Sequence, residues 1–142
     1  MFDLALLSAG ACIAEVTSSD VNYPPENIID GTNETFWTTT GLYPQHFIIS
    51  FTSPVLIQTV EIKCVNVKGL LVDRSVQNVP EDFERIQKRV LDHVEGQQQT
   101  EEFQLADDTT AQHLKFTITS GHDHFAAVYR VHVNGRAVHQ SM

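Results

Sequence analysis

Residues 27–39 read Asn-Ile-Ile-Asp-Gly-Thr-Asn-Glu-Thr-Phe-Trp-Thr-Thr, and they combine a tight turn with oxygen donors and two large rings. At Asp30-Gly31, glycine adopts a positive φ without steric cost, and aspartate can accept a hydrogen bond from the backbone just ahead. Phe36 and Trp37 follow the polar residues directly, and rings of this size are normally buried. We therefore expect an ordered loop that is polar at its bend and anchored in a core at its exit.

The polar side chains of this loop are of the type that calcium prefers. Carboxylate, amide and hydroxyl oxygens occur close together at Asn27, Asp30, Asn33, Glu34 and Thr35. Their spacing does not match the calcium-binding helix-loop-helix pattern, which needs such residues at alternate positions before a glycine. From the residues alone, the loop is either a calcium loop or an ordered turn whose oxygens are solvated.

The composition is that of a globular protein. The chain has 142 residues, of which 42% are hydrophobic and 19% are charged, which suffices for a sizeable core and argues against disorder. Eighteen acidic residues against nine basic ones give a formal charge of −9. This charge disfavours nucleic acids and anionic membranes as partners, because both require a basic face. With no internal repeat and no linker, we expect one domain spanning residues 1–142.

The N-terminal segment is apolar but does not have the pattern of a signal peptide. Residues 1–14 lack a basic start, contain Asp3 and have only a short uninterrupted apolar run, so we predict a first β-strand there. No segment approaches the ~18–20 apolar residues of a membrane span, and we expect no direct membrane insertion. Cys12 and Cys64 lie in strand-like apolar contexts. We expect free, buried thiols in a reducing compartment, with a single disulfide as the alternative.

Short alternating segments dominate the rest of the chain. Phe47, Ile49 and Phe51 share one face of a predicted strand, which Thr52-Ser53-Pro54 should break. Further strands are predicted at residues 55–67, 69–76, 103–105, 114–118 and 129–133, with a turn at Asp107-Asp108. Many short strands separated by turns favour an all-β fold, most naturally a jelly-roll β-sandwich of two packed antiparallel sheets.

Residues 80–96 have a different period. Apolar residues recur there at spacings of three and four, at Phe83, Ile86, Val90 and Val94. This is the stripe of an amphipathic helix, which Gly96 would cap. The residues alone therefore predict a helix in this segment.

Several motifs resemble those of a known family. They are Ser18-Ser19-Asp20, Pro24-Pro25-Glu26-Asn27-Ile28-Ile29-Asp30-Gly31, Glu34-Thr35-Phe36-Trp37-Thr38-Thr39-Thr40-Gly41 and Asp123-His124-Phe125-Ala126. Over nearly the whole chain, the sequence resembles the small jelly-roll subunit of the intraflagellar transport B complex, which has also been called small heat-shock-protein-like. More distantly, the Asp-Gly and Thr-Phe-Trp elements are similar to the calcium loop of discoidin-type, galactose-binding-like domains.

This resemblance implies a galactose-binding-like jelly roll without enzymatic activity that serves as an adaptor in ciliary or flagellar transport. It implies a stable heterodimer with a Rab-like small GTPase subunit and contacts with other intraflagellar transport B subunits. The corresponding location is the cilium or flagellum and the cytoplasm around the basal body. For residues 80–94, the resemblance implies an extended segment instead of a helix.

The resemblance also implies bound calcium (Ca2+) at the 27–39 loop. Carried onto this chain, the ligands are Asn27, Asp30 and Thr35, and backbone carbonyls near Thr32 or Asn33 complete the shell. Asp30 supplies the only carboxylate of the set, while the amide, hydroxyl and carbonyl groups supply the number and geometry of ligands.

One position departs from the lectin-like relatives. Those domains often close the calcium shell with a glutamate in the final strand, a few residues before a glycine. Counted back from Gly135, this position falls near Arg130, which cannot bind a cation. We therefore expect either a weaker site or a shell that uses other oxygens, such as the carbonyls around Val128.

Other functions are also compatible with parts of the sequence. A calcium-dependent carbohydrate-binding module would have the same fold, but Tyr43 is the only plausible loop aromatic to stack on a sugar ring. A pure calcium switch would have to operate from one modest site. His122 and His124 could share a zinc ion with His46. A Cys–His nucleophile is disfavoured because both cysteines lie on apolar strands and nothing indicates a lowered thiol pKa.

Overall fold

The computed structural model of the protein describes residues 3–94, 97–106 and 109–138. Its strands are β1 (Cys12–Val16), β2 (Trp37–Thr38), β3 (Gln45–Val65), β4 (Val67–Ser75), β5 (Glu84–Val90), β6 (Gln99–Gln104), β7 (Thr110–Gly121) and β8 (Ala127–Ala137). Two short 3₁₀ helices span Leu7–Ala9 and Pro25–Ile29. Within the described ranges no helix has the length and apolar character that a membrane crossing requires. The predicted all-β fold is confirmed.

The long strand β3 belongs to both layers of the fold. Between Gln45 and Ser50 it pairs antiparallel with β1 and β7, and the pairing with β7 resumes at Val55 and Leu56. From Val55 to Val65 it pairs with β8, and from Thr59 to Cys64 also with β6. Strands β4 and β5 extend the first group beyond β7, and β2 extends the second group beyond β8. Strands that pass from one sheet to the other at a bulge or bend form the corners of such sandwiches. The arrangement is the predicted jelly roll.

The strand break predicted at Thr52-Ser53-Pro54 is wrong, because β3 continues through all three residues. The pairing with β7 shifts at this point, from Ser50 opposite His113 to Val55 opposite Ala111. The extra residues on β3 form a bulge, and a bulge tolerates a proline because its residues lie outside the regular hydrogen-bond ladder. Pro54 therefore lies at the bend of the strand and does not end it.

Three aromatic rings connect the two layers of the core. Trp37 of β2 lies edge-on to Phe47 of β3, with 5.5 Å between the ring centroids, and Phe47 stacks on Phe116 of β7 at 5.0 Å. All three side chains are completely buried. The 27–39 loop thus enters the core at Trp37, as the sequence predicts.

Residues 84–90 form an edge strand, and the helix that the apolar spacing predicts is wrong. β5 pairs antiparallel with β4 along its length, and Arg85 Nε lies 2.7 Å from Asp73 Oδ1. A sheet edge satisfies backbone hydrogen bonds that an isolated helix of this length forms only marginally, so tertiary pairing overrides the local period. The extended segment implied by the family resemblance is confirmed. The predicted cap at Gly96 and turn at Asp107-Asp108 lie outside the described residues.

The N-terminal segment also differs from the prediction. β1 begins only at Cys12, because Leu7–Ala9 form a 3₁₀ helix that ends at Gly10, where φ is 98°. This left-handed conformation favours glycine. Cys64 is buried, but the prediction that Cys12 is buried is wrong. β1 pairs with β3 alone, and alternate residues of such an edge strand point towards solvent. Both thiols are free.

Candidate functional site

The start of the 27–39 loop is fixed by the 3₁₀ helix Pro25–Ile29. Proline at its first position has the φ that a helix start requires, and both isoleucines of the helix are completely buried. Gly31 follows with a φ of 85°, a conformation that glycine adopts without strain. The tight turn predicted at Asp30-Gly31 thus follows directly on a short 3₁₀ helix. It leaves the carboxylate of Asp30 exposed at the bend of the loop.

The carboxylate of Asp30 organises the bend through two threonines. Its Oδ1 accepts hydrogen bonds from the backbone N–H and the hydroxyl of Thr32, at 3.0 and 3.2 Å. Its Oδ2 accepts a hydrogen bond from the hydroxyl of Thr35. The two threonine hydroxyls also lie 2.8 Å apart. The structure therefore brings together Asp30 and Thr35, two of the three predicted calcium ligands.

The third predicted ligand, Asn27, makes a different contact. Its amide Nδ2 donates to the backbone carbonyl of Phe36 at 2.9 Å, and the side chain is partly buried. Among the described residues, no side-chain hydrogen bond joins Asn27 to Asp30 or Thr35. Asn27 instead connects the start of the loop to its aromatic exit.

The donors at this bend match calcium in kind. Carboxylate and hydroxyl oxygens are hard ligands of the type found in calcium sites, and the threonine protons that now bond to Asp30 can rotate away from an incoming cation. Asp30 is the one carboxylate in direct contact with these hydroxyls. Further ligands would have to come from Asn27 and from backbone carbonyls of the loop. The assignment of all three side chains as ligands stays a prediction.

Two of the three histidines that could have shared a zinc ion have separate partners. His46 Nε2 lies 2.5 Å from Glu15 Oε2, and His122 Nε2 lies 2.9 Å from the backbone carbonyl of Leu91. Over the described part of the chain, no three His, Cys, Asp or Glu side chains are grouped closely enough to hold a metal ion. The structure therefore does not bring the three together.

Arg130, expected from the sequence to stand near the place of an acidic calcium ligand, has a structural partner. Its Nη2 lies 2.9 Å from Oδ2 of Asp3, whose side chain is only 5% exposed. The other oxygen of Asp3 accepts backbone N–H bonds from Ala5 and Val133, both at 3.0 Å. Arg130 thus fixes the N-terminal segment to β8. Because the guanidinium of Arg130 is itself positively charged, it offers no ligand to a calcium ion.

A stack of three rings on the surface was missed from the sequence. Tyr23 stacks on Phe36 at 4.6 Å between centroids, and Phe36 lies 4.9 Å from Tyr129. Tyr23 is 40% exposed, the other two rings are half-buried, and none of the three belongs to the main core cluster. We call Tyr23, Phe36 and Tyr129 the aromatic face. It lies directly beside the bend, because Phe36 follows Thr35 and accepts the bond from Asn27.

A β-bulge directs Tyr129 towards this face. On β8, Val128 pairs with Cys64 of β3 and Arg130 pairs with Lys63, so Tyr129 is an extra residue between two paired positions. Bulges of this kind change the direction of a side chain. Nothing in the local alternation of β8 indicates the bulge, so the sequence alone could not find this contact.

The side chain of Tyr43, the candidate for stacking on a sugar, is engaged in contacts within the protein. Its hydroxyl donates to the backbone carbonyl of Asp123 at 3.1 Å, and its ring packs against the core. A Cβ placed on Gly121 would lie only 2.2 Å from this hydroxyl, so the ring fits closely over the glycine. Burial, with the nearby Asp123 charge, raises the pKa of Tyr43. This geometry does not favour a sugar platform.

The two cysteines should differ sharply in reactivity. Burial raises the pKa of Cys64 to about 12, and the charge of Glu101 adds to this effect. Because the thiolate is the reactive form, we expect iodoacetamide at pH 8 to modify native Cys12 at least roughly 100-fold faster than Cys64. Mass spectrometry of the labelled protein measures the two rates. Equal labelling of both thiols before unfolding would contradict the burial of Cys64.

The same pKa predicts a loss of stability at alkaline pH. The folded protein holds the Cys64 thiol protonated above the ordinary value of 9.0, so this contribution is complete below that pH and is lost as the pH rises towards 12. The thiol is therefore neutral near pH 7. A group in this state does not supply the nucleophile that a Cys–His enzyme requires.

Three curated proteins are similar to the chain over nearly its whole length. The human protein named intraflagellar transport protein 25 homolog is 47% identical over 136 residues, which cover 96% of this chain and 94% of that protein. Its mouse counterpart is 44% identical over the same coverage. Intraflagellar transport protein 25 of Chlamydomonas reinhardtii is 36% identical over 95% of this chain and 70% of its own length. No protein-family model matches the chain.

Two solved structures with the same fold are carbohydrate-binding modules. The family 32 module of Clostridium perfringens NanJ, solved with galactose, superposes with a TM-score of 0.75 at 14% identity, covering 87% of this chain and 92% of the module. Chitosan-binding module 1 from Paenibacillus sp. IK-5 gives a TM-score of 0.76 at 15% identity, covering 95% of this chain and 100% of the module. At these identities the likeness shows the galactose-binding-like jelly-roll fold alone.

Proposed function

The chain belongs to the intraflagellar transport protein 25 family, and we propose that it is a non-enzymatic adaptor of the intraflagellar transport B complex that pairs with a Rab-like small GTPase subunit. The observation that carries this proposal is 36–47% identity to family members across about 95% of the chain. The protein is a subunit of the intraflagellar transport machinery and works in the cilium or flagellum and the cytoplasm. In this role the protein binds other proteins through the outer faces of its β-sandwich and catalyses no reaction.

Co-expression tests the heterodimer. The full chain and the Rab-like GTPase subunit of the same organism, each with a different tag, are produced together and passed through two affinity steps and size exclusion. We expect a 1:1 complex that survives dilution, because a stable pairing of this kind buries on the order of 2,000 Å² or more. Separate elution of two folded proteins would rule out the heterodimer. It would not affect the conclusion that the protein is a subunit of the transport complex.

A carbohydrate-binding function is not proposed. The fold is shared with sugar-binding modules, but fold alone does not determine function. The one loop ring expected to stack on a sugar, Tyr43, packs against Gly121 and bonds to the carbonyl of Asp123. Nothing in the described geometry favours this function over the adaptor role.

We also propose that the 27–39 loop binds calcium, with Asp30 as the charged ligand and Thr35 and Asn27 as neutral ligands. Support comes from the contact between the Asp30 carboxylate and the Thr35 hydroxyl at the exposed bend. The ion would tie the bend to the buried 3₁₀ helix, and its effect would be stability. A ligand that binds only the folded state at about 100 times its Kd adds about 2.7 kcal/mol to the free energy of unfolding.

The variant Asp30→Asn tests this assignment. It keeps an oxygen that can accept the N–H of Thr32 but removes the charge that attracts a cation. We expect the wild-type melting temperature to rise by roughly 5–10 °C on addition of calcium, and that of the variant to stay the same. Differential scanning fluorimetry in calcium and in chelator measures both values.

The matched control is Glu34→Gln, which removes an exposed charge from the same loop without touching the Asp30 contacts. It should respond to calcium like the wild type. A calcium response that is equal in wild type and Asp30→Asn would rule out Asp30 as the charged ligand.

A further inference from the structure

The aromatic face is a group of three partly exposed rings that stack on one another at the surface. The large rings Trp37, Phe47, Phe103 and Phe116 are all completely buried. Tyr23 and its two neighbours stack on one another outside the core cluster, and Tyr129 reaches them only through a bulge in β8. Stacked surface aromatics with polar surroundings are typical of recognition surfaces.

The loop that presents two of these rings carries charge of one sign. The first 62 residues contain no lysine or arginine, and all nine basic residues lie from Lys63 onward. The loop that presents Tyr23 and Phe36 carries the carboxylates of Asp20, Glu26, Asp30 and Glu34, three of which are exposed. The basic residue nearest to the face along β8, Arg130, is held by Asp3 at 2.9 Å. Lys63, at the β3 position opposite Arg130, lies 3.9 Å from Glu61 Oε1. The loop therefore borders the face with carboxylates, and both of these strand cations lie against a carboxylate.

A groove continues from the aromatic face. Tyr129 forms one wall of a cavity of about 400 Å³, which is also lined by Val65, Asn66, His93, Val94, Gln97 and Gln98. Gln98 Nε2 donates to the backbone carbonyl of Asn33 at 3.1 Å, so the groove and the acidic loop are joined. A chain lying on the rings can thus extend into a partly apolar channel.

We propose that the aromatic face and this groove form a docking surface for a basic segment of a partner protein, with an arginine side chain of that segment laid on the rings. Guanidinium groups stack on aromatic faces and are attracted by the ring quadrupole. The surrounding carboxylates complement a positive segment and repel a negative one. The groove accommodates the aliphatic stem of the same segment.

Peptide titration tests this surface without knowledge of the partner. Hexa-arginine, hexa-lysine and hexa-glutamate peptides are added to the full chain, and the ring resonances of its three tyrosines are followed by NMR. We expect hexa-arginine to shift Tyr23 and Tyr129 in a saturable way and to leave Tyr43 unchanged. Hexa-lysine should bind more weakly, because its ammonium groups do not stack, and hexa-glutamate should not bind.

The double variant Tyr23→Leu/Tyr129→Leu keeps the net charge and apolar volume but removes two rings. Its affinity for hexa-arginine, measured by calorimetry, should fall roughly 2- to 30-fold for each ring that contacts the cation. Phe125→Leu is the control, because it removes a ring of similar exposure, 45% against 40% for Tyr23. If the replacement of Tyr129 at the bulge unfolds the protein, the single variant Tyr23→Leu, which lies in an exposed turn, is measured instead.

An unchanged affinity in the aromatic variants would overturn the proposal, since acidic residues alone would then account for binding. Equal shifts of all three tyrosines, or no saturable binding of hexa-arginine, would overturn it as well. These results are independent of whether a GTPase subunit is the partner, which the co-expression experiment decides.

Discussion

Replacement of Trp37 by alanine is expected to lower the free energy of unfolding by about 3–5 kcal/mol. The indole is completely buried, packs on Phe47 at 5.5 Å and donates from Nε1 to the carbonyl of Ser18 at 2.9 Å. The variant loses the buried area, the hydrogen bond and the connection between the two layers. Chemical denaturation measures the change, and the melting temperature should fall by roughly 10–20 °C.

Two further variants make this prediction specific. Leu42→Ala, at a side chain that is 90% exposed, should change stability by less than about 0.5 kcal/mol. Trp37→Phe retains a ring and should give an intermediate loss. A Trp37→Ala protein as stable as Leu42→Ala would show that the exit of the loop is not anchored in the core.

The second large effect is expected at Gln99, whose side chain is only 3% exposed. Its Oε1 accepts from the N–H of Val67 at 2.9 Å, and its Nε2 donates to the carbonyls of Val67 and Asp92, both at 2.8 Å. Gln99→Leu would leave three backbone groups without these partners, each at a cost of about 1–3 kcal/mol. Because the costs of neighbouring groups do not add fully, we expect a total loss of about 3–5 kcal/mol in urea unfolding.

Gln98→Leu is the natural comparison, since it changes the same residue type one position earlier. Among the described residues, Gln98 makes one side-chain hydrogen bond, which is exposed and joins it to the carbonyl of Asn33. Its replacement should therefore be nearly neutral. If the two leucine variants lost the same stability, the buried contacts of Gln99 would contribute nothing beyond a surface interaction.

Strands that bury one side could be predicted from the sequence. The alternation of Phe47, Ile49 and Phe51, and that around Leu114 and Val131, reflects side chains that enter the core on one face. β5 could not be found in this way, because its apolar residues fit a helical period. The segment is extended because it pairs with the edge of β4, and this contact with another strand is not visible in the local sequence pattern. The continuation of β3 through Pro54 was missed for the same reason, because a proline considered with its sequence neighbours alone predicts the end of a strand.

The candidate site was partly predictable for the same reason. Asp30 and Thr35 are neighbours in the chain, so a tight turn at Gly31 suffices to bring their oxygens together. Asn27 has the right type of oxygen, but its contact with the carbonyl of Phe36 depends on the path of the whole loop. The aromatic face depends on residues far apart in sequence and on a bulge, and no local pattern encodes either.

The sharing of β3 between both layers has a mechanical consequence. This one strand pairs with β1, β6, β7 and β8. The two layers therefore cannot slide past each other unless hydrogen bonds along β3 are broken. A pull applied to one face is passed directly to the other through covalent bonds. For a subunit of a transport assembly, we expect such a sandwich to act as a stiff spacer that keeps the distance and orientation of whatever binds its two faces.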